Sequence, residues 1–171
     1  MKLKILVASM IVIISFAIIF ICRNDDKIET IAIVTPINYS TDIFIFFEQD
    51  TLIGNVKKAN GEHLFYAESD PSVFFVKEKI GKGYIVNYQL VNGKLEKVDY
   101  VSPMAVKNAL AKSYQVIGGA YRWIHTPYYK NDKNELRFIT FKAGTAGEIK
   151  DDFMFSDSVV IAKYKIGLGI K

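Results

Sequence analysis

Cysteine occurs once in 171 residues, at Cys22, so the chain can form no internal disulfide. Histidine occurs twice, at His63 and His125, which stand 62 residues apart. Neither belongs to an HExxH pair and there is no CxxC, so the residue types and spacings that hold a metal are missing. There is no GxSxG nucleophile elbow. The two glycine-rich stretches, Gly81-Lys82-Gly83-Tyr84 and Gly144-Thr145-Ala146-Gly147, match neither the P-loop pattern nor a GxGxxG joining a strand to a helix, and both read as turns. No metal and no cofactor is expected, and an enzyme is disfavoured. Excess charge is also missing: 22 basic residues face 18 acidic ones, and Lys2 and Lys4 supply half of the net +4. Without a concentrated basic face, nucleic acid is excluded as a partner. No repeat or low-complexity tract occurs, and 50% apolar with 23% charged residues is globular usage, which argues against a disordered or collagenous chain.

The apolar excess that is present is concentrated. Mean hydropathy is +0.15, and most of it comes from the 18 uncharged residues Ile5–Cys22. As a helix this run spans about 27 Å, enough to cross a bilayer. It exceeds the apolar core of a cleaved signal peptide, and its only small-x-small site, Ser15-Phe16-Ala17, lies inside it. A lipoprotein signal needs small residues before its cysteine, whereas Phe20 and Ile21 precede Cys22. The order of preference is therefore uncleaved anchor, cleaved signal, lipoprotein. Cys22 itself reads as a small apolar residue ending the anchor. Lys2 and Lys4 keep the amino end cytoplasmic, so the expected location is the cytoplasmic (inner) membrane, single pass, with the C-terminal domain on the periplasmic, extracytoplasmic side. The expected division is a cytoplasmic stub at 1–4, a transmembrane signal anchor at 5–22, a linker at 23–30 and an extracytoplasmic domain at 31–171.

Within that domain, short β-branched and aromatic runs alternate with turn signals. Strands are predicted at Ile31–Thr35, Ile43–Glu48, Leu52–Val56, Glu62–Glu68, Ser72–Glu78, Gly83–Val91, Leu95–Val101, Glu135–Lys142 and Ser158–Ile166. Ile43–Phe47 is apolar on both faces, as a central, doubly covered strand requires. Around Asn92-Gly93, a three-residue bulged loop separates apolar from polar positions better than a two-residue one. One helix is predicted: Ser102-Pro103 supply an N-cap and first turn, Val106, Leu110, Ser113 and Ile117 recur at helical spacing, and Gly118-Gly119 end it. The expected fold is α+β, a mainly antiparallel sheet, meander or barrel-like, with one amphipathic helix, preceded by the transmembrane helix.

The segment Tyr121–Lys130 stands out. It holds the only tryptophan, three of ten tyrosines, an arginine and a histidine. Tyr, Trp and Arg are enriched at interaction hot spots because they join a large contact area to a polar handle. Arg122, Trp123, His125, Tyr128 and Tyr129 are the candidate partner-binding residues, with Trp123 expected to be the most core-like and the two tyrosines the most exposed. The competing reading packs Tyr121, Trp123 and Ile124 into the core. Carboxylate pairs at Glu68/Asp70 and Asp151-Asp152 offer weaker support for acid-base chemistry, since closeness in sequence says nothing about the separation that chemistry needs. The anchor and the aromatic segment together favour a membrane-anchored protein-binding module, such as an immunity or inhibitor protein against an envelope-directed toxin. A structural subunit of a secretion or division complex ranks below it, because the anchor has no GxxxG and no internal charge. A hydrolase acting on envelope material ranks last.

Overall fold

The computed structural model describes residues 27–98, 114–129, 134–149 and 155–170. The predicted stub, the run 5–22 and residues 23–26 lie outside the described residues, as do 102–113 of the predicted helix and Asp151-Asp152. Among the described residues no helix is long and apolar enough to cross a membrane.

The described chain runs through β1 (Lys27–Pro36), β2 (Thr41–Phe46), β3 (Asn55–Ala59), β4 (Glu62–Tyr66), β5 (Ser72–Phe75), β6 (Lys79–Val91), β7 (Lys94–Val98), β8 (Tyr114–His125), β9 (Glu135–Thr145), α1 (Ala146–Ile149) and α2 (Asp157–Gly167). Two sheets form, in the orders β3-β4-β1-β6-β7 and β5-β2-β9-β8. Through its first six strands the chain switches sheets repeatedly, so sequence neighbours pair only in the hairpins β3–β4, β6–β7 and β8–β9. The pairs β1–β4, β1–β6 and β2–β5 are parallel as a result. The sheets are thus mixed, not mainly antiparallel, and among the described residues neither closes into a barrel. Strand propensity marks where a strand lies but carries no direction, so the sequence alone reads as a meander.

Packing follows the pleat. Ile31 and Ile33 of β1, Ile43 and Ile45 of β2, Phe65, Phe74, Ile139 and Phe141 fill one cluster between the sheets. The alternate residues of β2, Phe44 and Phe46, point out of the sandwich and pack with Phe75, Phe138, Val160 and Tyr164 beneath α2. Each such side chain removed from water contributes roughly 1.5–3 kcal/mol. β2 is therefore an interior strand covered on both faces, with α2 as its outer layer.

Several local expectations give way. Ser158–Ile166 is helical: its β-branched run reads as a strand, but Asp157 in the first turn and Lys165 in the last complement the helix dipole, and Val160 and Tyr164 lie one turn apart on the buried side. The end of the predicted helix, Tyr114–Ile117, is instead the start of β8, and Gly118 lies inside that strand. β1 begins at Lys27, within the expected linker, because Lys27 and Ile28 already pair with Lys79 and Ile80. Gly81 and Gly83 sit in β6 at an irregularity of that ladder rather than in a turn. The β6–β7 hairpin has a two-residue loop: Val91 pairs with Lys94, and Asn92 and Gly93 both take positive φ, at 50° and 77°. Asn-Gly suits that turn, and a β7 exposed through Lys97 needs no clean apolar face.

Candidate protein-binding surface

β8 crosses the edge of the four-stranded sheet, paired among the described residues with β9 alone. Its register shifts between Gly118 and Tyr121. Gly118 has φ 129°, and a Cβ there would run into the Thr140 carbonyl oxygen, so the strand can approach β9 only with glycine at this point. Beyond the shift the pairing is regular, with Tyr121 opposite Ile139, Trp123 opposite Arg137 and His125 opposite Glu135.

The strand period then sorts the aromatic segment between two faces. Arg122 and Ile124 face α2. Ile124 is buried with Phe44, Phe138 and Tyr164. The Arg122 guanidinium lies 5.5 Å from the Phe138 ring centroid, donates to the Phe155 carbonyl at 2.9 Å and pairs with Asp157 at 2.6 Å. Tyr121, Trp123 and His125 face the other way. Tyr121 leans on Phe47 with ring centroids 6.1 Å apart, Trp123 keeps 59% of its surface exposed, and His125 is exposed as well. The core-like position expected of Trp123 is thus occupied by Ile124, its neighbour of opposite parity.

Arg137 gives this face a fixed polar border. Its guanidinium donates to Glu48 at 2.6 Å and lies 3.5 Å from Glu135. Burial disfavours its charge, but the hydrogen bond and attraction of Glu48 more than offset that and hold it protonated. Burial likewise raises the Tyr121 phenol, with Arg137 opposing. The result is a strand face carrying Tyr121, Trp123 and His125 beside a neutralised guanidinium, a composition suited to contact with another protein.

The remaining candidates lie elsewhere. Tyr128 is exposed, with the Lys165 ammonium 3.9 Å from its ring centroid. Tyr129 is half-buried: its ring meets Tyr164 edge-on at 6.3 Å and its hydroxyl donates to the Glu48 carbonyl. The structure therefore brings Trp123 and His125 together, sets Arg122, Tyr128 and Tyr129 against the α2 side, and adds Tyr121, Glu135 and Arg137, which the sequence reading did not select. The alternation Tyr-x-Trp-x-His, read as a strand, is the signal that points to Tyr121. Asp70, one of the weighed carboxylates, accepts from the Asp42 amide at 3.3 Å and the Thr41 hydroxyl at 3.4 Å, which ties it to the β2 start.

No family model and no curated protein matches the chain. Among solved structures, the 2.75 Å crystal structure of a candidate lipoprotein from Bacillus anthracis is similar, with a TM-score of 0.45 and 11% identity, over 82% of this chain and 90% of that one.

Proposed function

We propose that the chain is a membrane-anchored, extracytoplasmic protein-binding module whose partner surface is the Tyr121–Trp123–His125 face of β8. The exposure of Trp123, 59% on a regular strand bordered by an ion pair, carries the reading: a large aromatic left in water is offset by its use in a contact. The anchor is the run 5–22. Only four residues separate it from β1, at most about 14 Å of extended chain, so the domain is held beside the bilayer. An immunity or inhibitor protein, which must meet its target at the outer face of the cytoplasmic membrane, fits this placement.

The test is site-specific photo-crosslinking of the full chain in its native membrane. A photoreactive phenylalanine at position 123 or 125 is expected to give one discrete protein adduct, and the same probe at position 57 on edge strand β3 none. Absence of adducts at 123 and 125, or equal yields at all three positions, overturns the proposal.

A further inference from the structure

The four-stranded sheet has β8 at one edge and β5 at the other, and the β5 side holds a cavity. It measures about 190 Å³ and lies between β3–β4 of one sheet and the bridge that joins Ile53 to Phe75 in the other. Ile53, Val56, Phe75 and Val76 supply apolar wall, while Lys58, His63 and Glu78 supply the polar groups.

His63 is the anomaly. It is 4% exposed, yet among the described residues neither ring nitrogen has a hydrogen-bond partner. Its Nε2 lies 3.6 Å from Glu78 Oε1, beyond hydrogen-bond length. Burial, the largest influence, lowers the affinity of the ring for a proton, so the imidazole is neutral at pH 7 and keeps one unmet donor and one unmet acceptor. Buried polar groups of this kind are ordinarily satisfied.

We propose that this cavity binds a phenol-class ligand, an aromatic ring carrying one neutral hydroxyl, taken either as a free small molecule or as the tyrosine side chain of a peptide. The size fits, since a dry cavity of about 150 Å³ is sufficient for benzene. A hydroxyl both donates and accepts, so it can serve His63 and Glu78 together while the ring contacts the apolar wall. An anion would meet the Glu78 carboxylate, and a cation would meet the Lys58 ammonium. A neutral hydroxyl is opposed by neither.

The test is ¹⁹F NMR titration of the full chain in detergent with 4-fluorophenol, using fluorobenzene to measure the purely apolar part. The expected result is saturable binding about tenfold tighter for the phenol, the ratio one good hydrogen bond supplies. That preference is expected to disappear in His63→Leu and, as a second variant at the half-exposed rim, in Glu78→Ala. Displacement by p-cresol alone assigns the free phenol as the source of the chemistry, and displacement by N-acetyltyrosinamide as well assigns the peptide side chain. No saturable binding, equal affinity for fluorobenzene, or a phenol preference that persists in a folded variant overturns the proposal.

Discussion

Tyr164 and Trp123 lie on opposite faces of the four-stranded sheet, and water treats them in opposite ways. Tyr164 is 3% exposed, stacks on Phe75 at 5.2 Å and donates to Gln49 Oε1 at 3.0 Å. Burial pushes its phenol up to about 12 from 10.0. A raised folded-state pKa contributes stability that is complete below pH 10 and is lost as pH rises toward 12, on the order of 2–3 kcal/mol. Chemical denaturation across pH 9–12 is expected to show a steeper loss in the native chain than in Tyr164→Phe, which at neutral pH costs about 1–3 kcal/mol by orphaning Gln49. Parallel profiles would contradict this. His63 works at the other end of the scale. Its pKa is lowered from 6.5, so stability falls as pH drops below that value, and His63→Leu is expected to remove this acid-side loss. At Trp123, truncation to alanine is expected to cost no more than about 0.5 kcal/mol, against about 3–5 kcal/mol for Phe138→Ala in the core, as read by thermal melting. Composition made the aromatic segment legible, but parity decides which of its members are exposed, and parity depends on knowing that it is a strand.

At the scale of elements, glycine carries two different meanings. At Gly93 an added Cβ meets nothing within 4 Å, so Gly93→Ala costs only the strain of φ 77°, about 1–2 kcal/mol. At Gly118 an added Cβ would meet both the Thr140 oxygen and, at 2.8 Å, the Phe141 Cα, so Gly118→Ala must push β8 off β9 and is expected to cost clearly more. Equal losses in the two variants, measured by denaturant melts, would contradict the bulge. In the sequence both glycines are punctuation. Gly118-Gly119 after a helical spacing reads as a helix stop, and only the neighbouring β9 backbone makes it a close approach. The α2 segment reads as a strand for a related reason. Its valines and isoleucines favour strands locally, while the packing of Val160 and Tyr164 on the β2 phenylalanines, a contact across more than a hundred residues, decides for helix. Ile43–Phe47 was legible because a run that is apolar on both faces has few other places to go.

For the whole molecule, the existence of most strands was legible and their pairing was not, because pairing follows from the chain switching between sheets. The same architecture separates the two surfaces: β8 with its aromatic face at one edge, the His63 cavity at the other, and β1 in the middle of its sheet, four residues after the apolar run. Mass spectrometry of the membrane-extracted protein is expected to find the terminus at Met1 or Lys2. A mature chain beginning at an acylated Cys22 would contradict the proposed uncleaved anchor. Whether the strand face at β8 is open in the free protein can be read from the sole tryptophan without any label. Acrylamide quenching of Trp123 fluorescence in the purified, folded full chain is the direct measurement. Quenching nearly as efficient as in the urea-unfolded chain is expected, and a folded-state Trp123 shielded from the quencher would contradict an open β8 face.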